Sequence, residues 1–195
     1  MRRLILSVKL FLLVSFSCLI CSCTSAFSTS TSSKSHFSDF FDNFSPGFLG
    51  DESMKYAHRL PQNIDPPFEK MILVDPNVHA WGAYGPSGNL IRAGMATAGS
   101  DWCSDLGQPC RTRSGTFRVN FLGSFNCKST KFPMPYGGAP MPYCMFFNGD
   151  QALHGSYDVV DGNVSHGCVR LEVEDARWLR FNFINVGTKV VVRSY

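Results

Sequence analysis

The sequence predicts a mainly β domain with one helix in residues 68–195, and three observations lead to this fold class. Short apolar runs alternate with turns rich in Gly, Pro and Asn, which is typical of antiparallel strands. The segment Thr116–Phe121 alternates apolar with polar residues, as a half-buried strand does. One segment near the C-terminus spaces its apolar residues as a helix does. A domain of about 125 residues is large enough to enclose one hydrophobic core.

The first three strands are predicted to form a meander. Met71–Val74 is a short apolar strand, and Asp75–Asn77 supplies residues that favour a turn. Val78–Tyr84 is then the second strand. After a second turn, Gly85–Asn89, the chain returns as the third strand, Leu90–Ala98.

The remaining strands and the helix follow the meander. The strands are Thr116–Phe121, Cys144–Phe147, Ala152–His154 and, at the end of the domain, Lys189–Val192. Val173–Ile184 is the predicted helix, with an apolar stripe formed by Ala176, Trp178, Leu179 and Phe183. Two acidic residues lie in its first turn, where the helix dipole favours negative charge.

An export signal is predicted for residues 1–22. It has a basic start, an apolar run from Leu10 to Ile20 and small residues at its exit. The run is shorter than the ~20 apolar residues that span a bilayer comfortably. Ile20–Cys23 resembles the site at which bacterial signal peptidase cuts before a cysteine that then carries lipid. Cys23 is therefore the predicted lipid anchor, and cleavage nearby without lipid is the alternative.

Residues 23–67 form a separate predicted segment. Its first part, to about residue 36, is rich in Ser and Thr and has the composition of a flexible tether. Its second part spaces phenylalanines among Asp, Gly and Pro, which fits either an ordered flap or a partly disordered segment.

The charge balance argues against nucleic acid as a partner. Three of the 18 basic residues (Arg2, Arg3 and Lys9) lie in the predicted signal, so 15 basic residues remain beside 15 acidic residues. Phosphate-driven binding needs a basic surface, which this balance does not indicate.

The number of cysteines predicts one free thiol. Three of the eight cysteines lie in or beside the signal, and five follow. Exported proteins meet oxidising conditions, so their cysteines tend to pair, and an odd number leaves one over. Four cysteines allow three pairings. We favour Cys103–Cys110 and Cys127–Cys144 because each closes a local loop, which stabilises a protein by ~2–4 kcal/mol. Cys168 is then the free thiol.

Cys168 lies in the segment Ser165–Arg170, whose residues indicate nucleophilic catalysis. The thiol directly follows His166 and Gly167, and His154 lies fourteen residues before it. A thiolate attacks a carbonyl while an imidazole takes its proton and returns one to the leaving amine. A nearby imidazolium or positive dipole would lower the pKa of the thiol from its free value of ~8.5. The glycine leaves the amides of residues 167 and 168 open toward an oxyanion.

Two other interpretations of these residues are weaker. Most free cysteines are small buried hydrophobic residues, but such a cysteine needs neither a preceding His-Gly nor an arginine two places later. The second weaker interpretation is a zinc site formed by His154, His166 and Cys168. His166 and Cys168 are too close in sequence for the usual ligand pairs, and no Cys-x-x-Cys follows the signal. We predict no metal and no cofactor.

These motifs resemble the L,D-transpeptidase family (the YkuD catalytic domain). The resemblance rests on His154–Ser156, Ser165–Leu171, Gly115–Val119 and Gly187–Val192, and it covers about residues 68–195. It implies a β-sandwich-like fold with the cysteine in a cleft, acyl transfer on peptidoglycan stem peptides, and inactivation by carbapenem-type β-lactams. It also implies a location at the periplasmic face of the bacterial envelope, with membrane attachment only through a lipid anchor.

The resemblance also implies roles for single residues. Cys168 matches the nucleophile, and His154 matches the general base, whose ring the Gly155 carbonyl orients. His166 and the amides of Gly167 and Cys168 match the surroundings of the oxyanion.

Two further residues of the motif have expected roles. Arg170 matches a basic position that either binds the carboxylate of the substrate or braces the loop. Ser165 is expected to hydrogen-bond within the loop rather than to react.

Three functions remain open at this level. The leading one is a cysteine acyltransferase that forms a thioester with a tetrapeptide stem and passes it to another stem, as a 3→3 crosslink, or to a protein that becomes attached to the wall. The second is an L,D-carboxypeptidase or hydrolase on the same scaffold. The third is a non-catalytic wall-binding lipoprotein, against which the intact histidine and cysteine argue.

Pro133–Pro142 is predicted to be a lid over the cleft. Its prolines stiffen both ends, and Gly137–Gly138 leaves a hinge between them. A Cys127–Cys144 bridge would clamp the base of the loop. A rigid surface connection is the equally weighted alternative. In the lid interpretation, Tyr136 and Met141 contact the stem peptide.

Overall fold

The structure is a computed structural model that describes residues 56–195. The predictions of an export signal, of lipid at Cys23 and of a tether lie outside the described residues. The described end of the segment 23–67 is packed structure: Leu60 is buried beside Leu73 and Tyr84. Within residues 56–195, no helix is long and apolar enough to cross a membrane.

Five strands form the first sheet. They are β1 (Met71–Asp75), β2 (Ala80–Tyr84), β3 (Leu90–Met95), β4 (Gly115–Arg118) and β9 (Lys189–Val192), in the order β3-β2-β1-β9-β4. β1 and β9 run parallel, and the other neighbours are antiparallel. The predicted meander is present as β1, β2 and β3, although β2 and β3 are shorter than the pattern indicated.

Four strands form the second sheet. They are β5 (Phe121–Leu122), β6 (Met145–Asn148), β7 (Gln151–Ser156) and β8 (Val169–Glu172), in the order β5-β6-β7-β8. β7 and β8 run parallel, whereas the other two pairs are antiparallel. The mainly β fold with a single short helix, which the sequence predicted, is confirmed for the described residues.

The main core lies between the two sheets and the helix. It includes Ile72 and Val74 of β1, Leu153 of β7 and Leu171 of β8, all of them fully buried or nearly so. The alternate residues of β1 face the other side of the first sheet, where Leu60 and its neighbours cover them. Because both faces of β1 are covered, its first four residues, Met71–Val74, are all apolar rather than alternating with polar residues.

The prediction of one strand over Thr116–Phe121 was wrong. The chain changes sheets within it, because the Val119 N–H bonds to the Thr188 carbonyl (3.0 Å) and the next N–H, of Asn120, bonds to the Phe146 carbonyl (2.8 Å). The apolar alternation continues in the sequence through this crossing as far as Phe121, but Phe121 is exposed, and in β5 it is Leu122 that packs against the core. Periodicity alone therefore did not reveal the break.

Two further differences lie near the C-terminal end. Strand β8, which the sequence analysis did not predict, begins directly after Cys168 and buries Val169 and Leu171 in the main core. The predicted helix Val173–Ile184 is an α-helix, α1, only over Val173–Trp178 and continues as a π-helical turn over Leu179–Phe183. Such turns widen the helix by one residue.

Candidate active site

Parallel pairing of β7 with β8 brings the predicted catalytic residues together. His154 on β7 is the register partner of Arg170 on β8. Paired residues on neighbouring strands share a face, as do residues two apart on one strand. Cys168 directly precedes β8, two residues before Arg170. All three side chains line one cavity of about 340 Å³.

His154 is buried, and its surroundings favour a neutral ring. Its Nδ1 lies 2.8 Å from the Gly155 carbonyl oxygen, the contact that the family resemblance implies. A carbonyl only accepts, so Nδ1 carries the proton and Nε2 of the neutral ring can take one. Burial lowers the pKa of His154 to about 4, with a further lowering from the charge of Arg170 that the Gly155 carbonyl opposes. At neutral pH the ring is therefore an unprotonated base.

Cys168 is a half-buried, protonated thiol. It is the free cysteine of the described residues, and its Sγ lies 3.5 Å from the Asp150 carbonyl oxygen. Burial raises the pKa of the Cys168 thiol, as does the Asp150 charge, while the Ala152 backbone and Arg170 act in the opposite direction. The cysteine motif had predicted a lowered pKa for this thiol. A neutral thiol and a neutral base thus line the same cavity, a combination that suits proton transfer at the moment of attack.

Ser165 closes the turn that carries the cysteine. Its Oγ donates a hydrogen bond to the Cys168 carbonyl and accepts one from the Gly167 N–H at 3.1 Å. The expectation that the Gly167 amide is open toward an oxyanion differs from this arrangement, since that amide is used inside the turn. Gly167 itself has φ +117°, a conformation that L side chains rarely adopt. The turn therefore requires glycine there for its backbone.

Thr112 supports this turn from behind, and the sequence did not point to it. It is buried, and its hydroxyl donates to the Gly167 carbonyl (2.9 Å) and accepts from the Gly99 N–H (3.0 Å). The Tyr195 hydroxyl accepts from the Thr112 N–H and donates to the Gly99 carbonyl, both at 2.7 Å. No local sequence motif predicts these contacts, because the partners lie far apart in the sequence.

Arg170 braces the loop that joins β7 to the cysteine turn. Its guanidinium donates to Asp158 Oδ2 at 2.6 Å, and its backbone N–H and C=O both bond to Thr97. The Thr97 hydroxyl in turn bonds to the backbone of Val160 in the same loop. Of the two roles expected for Arg170, the structure therefore contains the brace.

Both predicted disulfides are present in the structure. Cys103 is joined to Cys110, and Cys127 to Cys144. The second bridge closes a loop that contains the predicted lid, Pro133–Pro142. Residues 139–141 of the lid line the cavity, as do residues 129–132, which precede it. Gly137 and Gly138 donate backbone hydrogen bonds inside the loop, to Pro133 and Ser129 (both 2.8 Å). The loop is therefore an internally bonded unit.

The two residues predicted to touch substrate from this loop differ in position. Met141 is buried and lines the cavity. Tyr136 is 93% exposed and is not among the lining residues. The structure thus brings Met141 to the site and leaves Tyr136 outside it.

Comparisons with known proteins identify a family and a shared fold. The L,D-transpeptidase catalytic domain family (YkuD) matches residues 69–192. A comparison with curated proteins found no match.

Several solved structures share the fold. An L,D-transpeptidase from Xylanimonas cellulosilytica is 20% identical with a TM-score of 0.58, over 74% of this chain and 71% of that one. An L,D-transpeptidase from Stackebrandtia nassauensis is 18% identical with a TM-score of 0.55, over 75% and 68%. A third, solved in complex with imipenem, is 19% identical with a TM-score of 0.53, over 64% and 58%.

Proposed function

The chain belongs to the L,D-transpeptidase catalytic domain family, and from this membership and the cavity geometry we propose that it is a cysteine acyltransferase acting on peptidoglycan stem peptides. One observation carries the proposal: the neutral imidazole of His154, on β7, and the thiol of Cys168, directly before β8, line the same cavity. Cys168 is the nucleophile in this proposal, and His154 is the general base, oriented by the Gly155 carbonyl.

The first half-reaction forms a thioester. His154 Nε2 takes the thiol proton, and Sγ of Cys168 attacks the carbonyl carbon next to the L-configured centre of the third residue of a tetrapeptide stem. We assign the oxyanion to the Cys168 N–H, since the other turn amide, the Gly167 N–H, already bonds to Ser165. The C–N bond to the terminal D-alanine then breaks, and His154 returns the proton to the leaving amine.

The second half-reaction transfers the acyl group. An acceptor amine attacks the thioester, His154 takes one of its protons, and the C–S bond breaks as His154 returns that proton to Sγ, which restores the thiol. A diamino acid of another stem gives a 3→3 crosslink, and an amine of a protein attaches that protein to the wall. Water as acceptor makes the enzyme an L,D-carboxypeptidase. The predicted export signal supports a periplasmic location for this chemistry, with a lipid anchor if Cys23 is modified.

Purified sacculi provide the test. The protein without residues 1–22 is incubated with sacculi, and the released and joined muropeptides are identified by mass. We expect loss of terminal D-alanine together with new 3→3 dimers. The variant Cys168→Ala should abolish both products, and Tyr136→Ala, which changes an exposed residue outside the cavity, should retain both. Unchanged sacculi with the unaltered protein would refute the proposal, and trimmed stems without dimers would identify a hydrolase.

A further inference from the structure

Two disulfide-closed loops meet on one residue of the cysteine turn, His166. The loop closed by Cys103–Cys110 contributes Asp105, whose Oδ2 lies 2.9 Å from His166 Nε2. The loop closed by Cys127–Cys144 contributes Phe132, whose ring centroid lies 4.6 Å from that of His166. His166 also lines the cavity, two residues before the cysteine. The imidazole is therefore held on two sides by elements distant in sequence.

The contact with Asp105 determines which ring nitrogen carries a proton. The hydrogen bond from His166 lowers the pKa of Asp105, so the carboxyl is ionised at neutral pH and only accepts. Nε2 of His166 is then the donor, and Nδ1 is the nitrogen left for other contacts. A histidine whose second nitrogen is bound by a carboxylate keeps one tautomer and one ring orientation.

The loop that carries Asp105 is anchored to the turn. The N–H groups of Leu106 and Gly107 bond to the Cys103 carbonyl (3.2 and 2.8 Å), which shapes the loop around Asp105. At the other end, the Cys110 N–H bonds to the Ser100 carbonyl, and the Ser100 N–H bonds to the carbonyl of Ser165 in the cysteine turn. The bridge therefore ties the carboxylate to the same backbone that positions the nucleophile.

The cluster is not a metal site in this oxidation state. Sγ of Cys103 lies within 4.8 Å of the ligand atoms of Asp105 and His166. That sulfur is bonded to Cys110, so it is not the thiolate that a metal would require. One carboxylate and one imidazole remain, fewer than the three or four protein ligands of zinc sites.

We propose that Asp105 is a positioning residue that acts through His166. It holds the ring in the Nε2–H tautomer and in one orientation against Phe132, so that the cavity wall beside Cys168 is already in place when the donor peptide arrives. This role rests on the proposed function of Cys168 as the nucleophile. Small displacements of groups around a reacting centre lower the rate up to ~100-fold. Because Asp105 is exposed and acts on the site only through His166, loss of its contact with His166 should lower the rate about tenfold.

The kinetic test compares three variants in acylation by a carbapenem and by a tetrapeptide stem. Asp105→Asn should lower the second-order rate of acylation about tenfold, and Asp105→Glu, which keeps the carboxylate, should recover most of the loss. Asp101→Asn is the matched control, because Asp101 is exposed in the same region and pairs with Arg111 at 2.7 Å rather than with His166. It should acylate within about twofold of the unaltered protein.

A second measurement needs no activity. Long-range ¹H–¹⁵N spectra of Cys168→Ala protein, with His166 assigned by His166→Gln, should show a proton on Nε2 of His166. The same spectra of Asp105→Asn should show mixed tautomers. An unchanged tautomer, or acylation of Asp105→Asn at the rate of the unaltered protein, would overturn the inference. Absence of any adduct on the unaltered protein would instead count against the proposed function, and the spectra would still decide the role of Asp105.

Discussion

Acidification should destabilise the folded protein through His154, and the magnitude follows from its burial. The ring is 6% exposed, and burial lowers its pKa from 6.5 to about 4. Between these values the unfolded chain takes up a proton that the folded chain does not, so the free energy of unfolding falls as pH decreases. Linkage gives a loss from this histidine of about 1 kcal/mol at pH 5.5 and about 3 kcal/mol at pH 4, relative to pH 7.

Urea denaturation at pH 7, 5.5 and 4 measures this loss. The comparison is between the unaltered protein and His154→Gln, which lacks the titrating ring, so that carboxyl groups titrating at lower pH cancel. Between pH 7 and pH 4, the free energy of unfolding of this variant should fall by about 3 kcal/mol less than that of the unaltered protein. His58→Gln is the matched control, because this histidine is exposed, and its curve should follow that of the unaltered protein. Equal pH dependence with and without His154 would refute the assigned burial effect.

Three further predictions concern the cavity and its turn. Intact-protein mass spectrometry should show one carbapenem adduct, absent from Cys168→Ala; an adduct that persists there would place the nucleophile elsewhere. Gly167→Ala should lower the free energy of unfolding by about 1 kcal/mol or more, because φ is +117° there, and slow acylation as well. Gly162→Ala, where an added Cβ meets no atom within 4 Å, should do neither. Met141→Ala should impair turnover of sacculi more than carbapenem acylation, whereas Tyr136→Ala should impair neither; equal losses from both would contradict the placement of the loop.

Most of the strands could be predicted because their signals are local. β1 is a short apolar run between turn residues, and its boundaries were off by one residue. The loop-closing cysteine pairs were also local, because each lies within one loop of the chain. β8 was missed because its four residues follow the cysteine turn without a separating turn signal, and only the pairing with β7 makes them a strand.

The candidate nucleophile and base could be predicted because their chemistry depends on residue type and spacing. Cys168 and His154 were identified from the motif, and the structure places them in one cavity. Their protonation states could not be predicted in the same way. The raised pKa of the thiol and the lowered pKa of the imidazole both arise first from burial, which depends on the packing of the surrounding strands and loops.

The roles of the residues that support the site become visible only in the tertiary structure. Asp105 lies 61 residues from His166, and Thr112 lies 55 residues from Gly167. Neither has a periodicity, a spacing or a neighbouring motif that distinguishes it from an ordinary loop residue. Hydrophobic periodicity and turn chemistry are properties of a short stretch of chain, and the number of cysteines is a simple count. All three can be read from the sequence without knowledge of the fold. A hydrogen bond between distant side chains exists only after two sheets have packed, which is why the motif was evident and the scaffold that holds it was not.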